Sequence, residues 1–249
     1  MKVSVVTVCY NAEGFIETAI QSVLNQSYQN IEYIVVDGNS TDATFEIINQ
    51  YKGQITKVIS ESDEGIYDAM NKGIKQATGD VIGILNADDF YFDSEVIQDV
   101  VNFFDEKPTD SVYGDLVYVE RNNINKVVRY WRSGEFKRAK FKYGWMLPHP
   151  AWFVKRQVYQ KHGLYDLSLK TSSDYEYMLR VLYKHKISSR YLPRVMIIMR
   201  TGGTSNASLT HRIKANAEDR KAWALNGLRY GSYAAYLKPL RKILQFVRK

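Results

Sequence analysis

The first 85 residues alternate short apolar runs with segments of helical patterning. The apolar runs cover residues 3–8, 31–36, 56–60 and 81–85, and the segments of helical patterning cover residues 13–26, 42–51 and 66–77. This alternation is typical of a mostly parallel sheet flanked by helices, because two parallel strands need a crossover connection between them. The sequence therefore predicts an α/β fold of Rossmann-like type.

From Ser111 onward the pattern changes. Shorter aromatic and β-branched runs at 112–119 and 126–131, separated by a turn at 121–123, predict a small antiparallel extension. Helical patterning follows near 155–162, 174–185, 209–228 and 233–248, with one further strand near 189–199. Because no linker interrupts the chain, we expect one domain over 1–205, with halves of about 1–110 and 111–205, and a helical extension over 206–249.

Composition limits the class of protein. Among 249 residues 45% are hydrophobic, enough for a full-sized core, and the single cysteine, Cys9, excludes an internal disulfide and fits a reducing compartment. No apolar run approaches the length of a membrane span, so we expect a cytoplasmic protein. The net charge of +7 suits anionic lipid or nucleic acid, but no nucleic-acid-binding motif accompanies it, and we expect no nucleic-acid partner.

Polar clusters follow three of the predicted strands, at residues 10–12, 37–40 and 86–89. The carboxyl ends of parallel strands meet at one edge of the sheet, where open α/β sheets bind ligands. We therefore expect the three clusters to share one crevice. The chain has neither a Gly-x-x-x-x-Gly-Lys-Ser/Thr loop nor a Gly-x-Gly-x-x-Gly turn after the first strand, which argues against a nucleotide triphosphatase and a dinucleotide oxidoreductase.

Acidic residues are concentrated at this predicted edge. Asp88 and Asp89 follow an apolar strand, and oxygen ligands of this kind suit Mg²⁺ or Mn²⁺, which would bridge the phosphates of a nucleoside diphosphate. Asp37 is placed to accept hydrogen bonds from a base or ribose, and Asp63 falls at the same edge. So many carboxylates would repel one another without a cation. The alternative is that Asp88 and Asp89 form an ordinary cap or turn.

Five segments carry a family resemblance: VVTVCYN at 5–11, AIQSVLNQ at 19–26, VDGNSTD at 36–42, DAMNKG at 68–73 and GDVIGILNADD at 79–89. They resemble glycosyltransferase family 2, whose members have the GT-A fold, and the resemblance runs to about residue 205. The block ESDEGIYDAMN at 61–71 looks like a bacterial subgroup that builds exopolysaccharide, capsule or O-antigen chains. The resemblance makes 1–110 the nucleotide-binding half and 111–205 the acceptor half.

The resemblance implies an inverting, metal-dependent transfer from a nucleotide sugar, with a UDP-sugar favoured because many relatives use it. The residues that it places at the nucleotide are Thr7, Tyr10, Asn11, Asp37, Asp63, Lys72, Asn86 and Asp88. It gives Mn²⁺ or Mg²⁺ to Asp88 and Asp89. Two departures from the family pattern matter here. Asn86 occupies the first position of the Asp-x-Asp element, which leaves open which acid binds the metal directly, and Met70 stands where relatives often have a basic residue, which leaves the role of Lys72 open.

The acceptor side has its own candidates. An inverting transfer needs a base for the acceptor hydroxyl, and the segment SSDYEYMLR at 172–180 resembles the family's acidic motif, with Asp174 at the position of the base and Glu176 as the fallback. His149 is a candidate for contact with the acceptor or the donor phosphates, or else a packed loop histidine. Gly202 and Gly203 suit a loop that closes over bound nucleotide, or a simple turn.

The expected acceptor is a saccharide, carried on undecaprenyl diphosphate if the subgroup resemblance holds. The tail at 236–249 mixes apolar and basic residues at near-helical spacing, which suggests peripheral contact with an anionic membrane, although an ordinary surface helix has the same pattern. Two other functions stay open. One is a sugar-phosphate nucleotidyltransferase, although the loop after the first strand is neither glycine-rich nor basic. The other is a non-catalytic nucleotide-sugar-binding subunit.

Overall fold

The computed structural model describes residues 1–202 and 209–229. Its strands are β1 Val3–Cys9, β2 Ile31–Asp37, β3 Lys57–Ser60, β4 Val81–Asn86, β5 Asp89–Tyr91, β6 Ser111–Glu120, β7 Asn123–Trp131, β8 Trp152–Lys155 and β9 Ser189–Arg200. Its α-helices are α1 Ile16–Leu24, α2 Thr44–Gln50, α3 Ile66–Gln76, α4 Val96–Glu106, α5 Arg156–His162, α6 Ser173–Met178 and α7 Leu209–Leu225. The described strands form one sheet in the order β3-β2-β1-β4-β8-β6-β9-β5, with β7 beside β6.

The predicted parallel half is confirmed. Strands β3, β2, β1 and β4 run parallel, and every residue of β1 is buried because helices cover both faces of the sheet. Alternate β1 side chains point to opposite faces: Val6 and Val8 pack in the cluster that includes α3, whereas Val3 and Val5 pack in the cluster that includes α1 and α4. Two cores therefore hold the sheet edge that follows these strands.

The second half is a mixed sheet. Strand β8 pairs antiparallel with β4 and β6, β7 pairs antiparallel with β6, and β9 runs parallel to β6. The predicted hairpin is thus confirmed as β6–β7. Strand β8 and helix α4 were not expected from the sequence. Strand β8 has only four residues, too few for a recognisable alternation, but α4 has its buried residues at a helical spacing of three and four.

The helix expected over 174–185 is divided. Helix α6 covers Ser173–Met178, and one turn of π-helix, Leu179–Lys184, continues it. Helix α7 buries Trp223 and Ala222 in the same cluster as α6, so this part of the predicted C-terminal extension packs on the domain. The helix expected over 233–248 lies outside the described residues. Within the described ranges, no helix is both long and apolar enough to cross a bilayer.

A buried carboxylate ties the amino-terminal strands together. Glu32 on β2 is only 6% exposed, and it accepts hydrogen bonds from Lys2 Nζ at 2.8 Å, from the Ser4 hydroxyl and from the Thr78 backbone N–H at 2.7 Å. Burial disfavours the charged form, but the hydrogen bonds from these three residues outweigh it and lower the pKa of Glu32 to about 2. The group is therefore ionised in the folded protein.

Replacing Glu32 with glutamine is expected to lower the free energy of unfolding at pH 7 by about 2 kcal/mol, because hydrogen bonds to a charged acceptor are lost. The pKa of Glu32 is depressed on folding, so its contribution is present above the ordinary value of 4.5 and is lost as the pH falls toward 2. Urea unfolding at pH 7 and pH 3 checks this, with the exposed Glu46→Gln as control. An equal destabilisation of the Glu32→Gln variant at both pH values would contradict the ionic explanation.

Candidate active site

The three polar clusters lie at one edge of the sheet. In the parallel register Cys9 lies opposite Asp37, and Val8 lies opposite Asn86. The residues that follow these strands therefore leave the sheet side by side. This is the carboxyl edge at which the sequence predicted a ligand crevice.

The loops that follow β1 and β2 are bound to each other. The Asn11 backbone N–H donates to the Ser40 hydroxyl at 2.9 Å, and Asn11 Oδ1 accepts the Thr41 N–H at 2.9 Å. The Ala12 N–H donates to Thr44 Oγ1 at 2.7 Å. Asn11 has a φ of 47°, a left-handed conformation that asparagine tolerates better than most residues. Asn11 thus joins the two loops that form this part of the edge.

Asp37 is enclosed by its own loop. Its side chain is 1% exposed and accepts hydrogen bonds from the N–H and hydroxyl of Ser40, and from the Ser60 hydroxyl at 2.7 Å. The carboxylate therefore shapes the wall of the crevice in this structure. Its contact with a base or ribose stays a prediction.

Tyr10, Gly38 and Asp63 form a compact, partly open group. The Tyr10 ring is 61% exposed, and Asp63 uses Oδ1 to accept the Gly65 N–H at 2.8 Å. A Cβ at Gly38 would lie 2.4 Å from Asp63 Oδ2 and 3.4 Å from the Tyr10 ring, so a larger residue there would displace the Asp63 carboxylate. An exposed aromatic ring beside a carboxylate offers a nucleobase both a stacking surface and a hydrogen-bond acceptor.

Two predicted nucleotide residues have protein partners of their own in this structure. Thr7 is fully buried, and its hydroxyl accepts a hydrogen bond from Tyr33 at 3.1 Å. Lys72 Nζ forms ion pairs with Glu61 at 3.1 Å and Asp68 at 3.4 Å; burial lowers its pKa, but these carboxylates outweigh burial and raise it. The structure therefore places Thr7 in the core and Lys72 in a charge cluster on α3, and does not bring either side chain into the group around Gly38.

The two predicted metal ligands differ in access. Asp89 is fully buried and accepts a hydrogen bond from Asn86 Nδ2 at 2.8 Å, while burial and then the charge of Asp88 raise the pKa of Asp89 well above its usual range. Asp88 is partly exposed. Asp88 is therefore the more accessible of the two carboxylates, and which of them binds a metal directly stays a prediction.

The surroundings of Asp88 fit a hard cation. Asn86 Oδ1 and Asp89 Oδ1 are buried, and neither has a hydrogen-bond partner within the described part of the chain. Orphaned carbonyl and carboxylate oxygens are the ligands that Mg²⁺ and Mn²⁺ prefer. Among residues 1–202 and 209–229, no group of three or more His, Cys, Asp or Glu side chains forms a metal cluster. A cation held by few carboxylates and by substrate phosphates matches the usual behaviour of Mg²⁺.

Two arginines that no sequence motif indicates flank Asp88. Arg121 Nη1 lies 3.9 Å from Asp88 Oδ2, and Arg200 Nη1 donates to the Asp88 backbone oxygen at 3.0 Å. Both guanidinium groups lie over the Phe15 ring, at 4.1 and 5.4 Å from its centroid. One guanidinium group thus lies near the Asp88 carboxylate and the other binds the Asp88 backbone, and two neighbouring cations of this kind suit an anionic diphosphate.

The predicted closing loop is described only in part. Gly202 has a φ of 89°, in the left-handed region that favours glycine, and a Cβ there would lie 3.7 Å from Arg121 Cδ. Gly202 is thus close to the arginine pair. Gly203 lies outside the described residues.

Asp174 is connected to the nucleotide side through α3. Its Oδ1 accepts a hydrogen bond from the Tyr67 hydroxyl at 2.9 Å, and Tyr67 stands in the first turn of α3, directly after the loop of Asp63. Burial and then the charge of Asp174 raise the pKa of Tyr67 well above its usual range, so the phenol stays a donor. One oxygen of Asp174 is thereby held in place.

The remaining acceptor-side candidates are buried. Glu176, the fallback base, accepts hydrogen bonds from Arg180 Nε at 3.0 Å and from Asn226 Nδ2 at 3.0 Å, so its carboxylate is already occupied. His149 Nε2 lies 2.9 Å from the Tyr165 hydroxyl, and burial lowers its pKa while the charge of Asp174 opposes that shift. His149 therefore fits the packed-histidine alternative, within the field of Asp174.

Comparisons with known proteins agree with this architecture. The family described as Glycosyl transferase family 2 matches residues 4–163. A PGL/p-HBAD biosynthesis glycosyltransferase of Mycobacterium bovis is 29% identical over 208 residues, covering 82% of this chain and 78% of the relative. An uncharacterized glycosyltransferase of Mycobacterium tuberculosis is 31% identical over 181 residues, covering 72% of this chain and 68% of the relative.

Solved structures share the fold. S. aureus TarS 1–349 in complex with UDP-GlcNAc has a TM-score of 0.73 at 20% identity, covering 91% of this chain. This chain spans 65% of that crystallised chain, slightly less than two thirds of its length. The mannosyltransferase PcManGT from Pyrobaculum calidifontis, in complex with GDP-Man and Mn²⁺, has a TM-score of 0.66 at 16% identity, covering 98% of this chain and 69% of the other. Together with the match over residues 4–163, they identify this chain as a GT-A-fold member of glycosyltransferase family 2.

Proposed function

We propose that this glycosyltransferase moves a sugar from a nucleoside-diphosphate sugar, with UDP favoured, to a hydroxyl of a saccharide acceptor, with inversion at the anomeric carbon. The observation that carries the proposal is the arrangement at one sheet edge. The group of Tyr10, Gly38 and Asp63 suits a nucleoside, and α3 connects it to the hydrogen-bonded carboxylate of Asp174. The accessible Asp88 with its two arginines suits a diphosphate.

The donor would lie with its base at the Tyr10 ring and its diphosphate toward Arg121 and Arg200. Each guanidinium offers planar, charge-assisted donors that match phosphate oxygens. TarS and PcManGT, which share the fold, were solved with UDP-GlcNAc and GDP-Man respectively. Both bases carry N–H groups for a carboxylate, so Asp63 is compatible with either, whereas Asp37 would first have to release its bonds to Ser40 or Ser60.

A divalent cation would be held by Asp88 together with the orphaned oxygen of Asn86. Bound there, it would neutralise charge on the leaving diphosphate. The protein's own contribution is to place an accessible carboxylate beside two arginines, Arg121 near the carboxylate and Arg200 on the Asp88 backbone, which both lie over the Phe15 ring. Those guanidinium groups supply positive charge at the same place and need no reorganisation when the leaving group departs.

Asp174 would act as the base. One carboxylate oxygen accepts the Tyr67 hydrogen bond, which leaves the other to take the acceptor hydroxyl's proton. As the acceptor oxygen forms its bond to the anomeric carbon, the bond from that carbon to the diphosphate oxygen breaks on the opposite face. A single displacement of this kind needs one base and inverts the anomeric centre.

The proposal also includes a lipid-linked saccharide acceptor and a location at the membrane surface. A saccharide on a lipid diphosphate, used in cell-surface polysaccharide synthesis, would require the enzyme to work at the cytoplasmic membrane surface. The basic and apolar tail at 236–249 suits contact with anionic lipid, although it lies outside the described residues.

A calorimetric panel tests the donor site. In a panel of UDP, GDP, dTDP and CMP, we expect one of the three diphosphates to bind with a Kd that falls at least about tenfold when Mn²⁺ is added, because a cation shared by protein and diphosphate links the two equilibria. The matched nucleoside without phosphates serves as control. Absence of nucleotide binding with or without Mn²⁺ would contradict the proposal, whereas binding without any turnover would favour a non-catalytic nucleotide-sugar-binding subunit.

A further inference from the structure

One carboxylate of helix α7 binds three successive backbone amides. Glu218 accepts hydrogen bonds from the N–H groups of Lys170, Thr171 and Ser172 at 3.1, 2.7 and 3.0 Å, and from the Thr171 hydroxyl at 2.7 Å. Burial disfavours the charged form, but the bonds from Thr171 and its neighbours outweigh it and lower the pKa of Glu218. An ionised acceptor surrounded by amides makes a strong, directional contact.

The segment that Glu218 binds leads directly into the candidate base. Ser172 is the residue before α6, and its backbone oxygen accepts the Glu176 N–H at 2.9 Å, which closes the first turn of the helix. Asp174 lies in that turn. The position of the Ser172 backbone therefore determines the position of the Asp174 backbone, from which the side chain extends.

Helix α7 also contacts this segment on both sides of Asp174. Lys221 Nζ donates to the Ser168 backbone oxygen at 3.0 Å, upstream of the base. Downstream, Trp223 Nε1 donates to the Tyr175 hydroxyl at 3.0 Å. Contacts from one helix thus occur at both ends and in the middle of residues 168–175, and both this segment and α7 lie beyond the family match at residues 4–163.

Asp174 is consequently held from two directions. Tyr67 on α3 fixes one carboxylate oxygen, and Glu218 on α7 fixes the backbone that carries the side chain. A base must meet the acceptor hydroxyl within hydrogen-bond distance, and a displacement of about 1 Å is enough to cost about 10²-fold in rate. Loss of the Glu218 contact would release the backbone side of this arrangement.

We propose that Glu218 is a positioning residue for Asp174, and that α7 is thereby part of the catalytic apparatus. The inference rests on the proposed function of Asp174 as base. A residue that only caps a helix would affect stability. A positioning role for Glu218 instead predicts a loss of turnover without a loss of donor binding.

The test compares Glu218→Gln with Arg220→Gln, an exposed residue of the same helix. In Glu218→Gln we expect hydrogen exchange at residues 168–178 to become about 10-fold faster or more, because charge-assisted bonds to three amides are lost. We expect kcat with UDP-GlcNAc or GDP-Man, whichever is turned over, to fall about 10- to 100-fold. The donor KM and the Kd of the matched nucleoside diphosphate should stay within about twofold. Arg220→Gln should change none of these.

A double-mutant cycle makes the test specific. Thr171→Val removes the hydroxyl that donates to Glu218, and it should lower kcat more in the wild-type background than in Glu218→Gln, whose neutral amide oxygen accepts a weaker bond. Unchanged kcat in Glu218→Gln, or a parallel loss of nucleotide affinity and melting temperature, would overturn the inference. If the wild-type protein binds no nucleotide and turns over neither donor, the proposed function fails instead, and unchanged exchange at 168–178 would still separately refute the Glu218 contact.

Discussion

Replacing Asp174 with asparagine is expected to lower kcat by about 10³-fold while the affinity for the nucleoside diphosphate stays within about twofold. Asparagine has nearly the same shape, and its Oδ1 can still accept the Tyr67 hydroxyl that lies 2.9 Å from the carboxylate. The variant therefore removes the basicity of residue 174 and keeps its position. Initial rates of nucleoside diphosphate release, with calorimetry of the same protein, measure the two effects separately.

A matched control for this variant is Asp166→Asn in the same half of the chain. Asp166 accepts the Ser168 N–H at 2.8 Å, a local turn contact that does not involve Asp174. Full activity in Asp174→Asn would exclude Asp174 as the base. Glu176 would not replace it in the folded protein, because that carboxylate is buried and bonded to Arg180 and Asn226.

The parallel half of the sheet could be predicted because its strands are buried on both faces. Such strands are continuous apolar runs, as in β1 and β4, and the polar residues that follow them mark the carboxyl edge. The same pattern predicted that Tyr10, Asp37 and Asp88 lie at one edge of the sheet. Strand β8 was not predicted, because it is short and because it joins the sheet by antiparallel pairing with strands that lie far away in the sequence.

The side-chain contacts at the site were harder to predict from the sequence than the strands. Thr7 is enclosed by a contact with Tyr33 on the neighbouring strand, which no pattern within β1 indicates. Lys72 stands four residues after Asp68, and this helical spacing by itself predicts an ion pair between them. The ion pair is an alternative to a contact between Lys72 and a phosphate. Arg200 reaches Asp88 across 112 positions of the chain. Contacts of that range depend on the assembled sheet and cannot be derived from spacing.

Asp88 and Asp89 differ in burial, although the sequence alone does not distinguish them. Asp89 belongs to β5, which pairs with β9, and its side chain is fully buried against Asn86. Asp88 precedes that strand and stays accessible. The difference arises from a three-residue strand whose partner lies about a hundred positions later, and it makes the two acids experimentally distinguishable.

Asp88→Asn is expected to abolish the effect of Mn²⁺ on nucleoside diphosphate affinity and to lower kcat by about 10²- to 10³-fold, because the accessible anionic ligand is lost. Affinity measured in EDTA should be retained or increased, because Arg121 and Arg200 no longer share their charge with a neighbouring carboxylate. Calorimetry with Mn²⁺ and with EDTA, together with initial rates, checks both parts.

Two comparisons make the assignment specific. Asp89→Asn should keep the response to Mn²⁺, because Asp89 is buried against Asn86 and its raised pKa favours the uncharged form that asparagine resembles. Asp105→Asn, an exposed acid on α4, controls for the change in net charge. If Asp88→Asn still responds to Mn²⁺ while Asp89→Asn does not, the buried acid is the ligand and the β5 strand must open for the metal to bind. If both variants respond normally, neither acid is required for the effect of Mn²⁺, and the assignment of the cation to Asp88 is wrong.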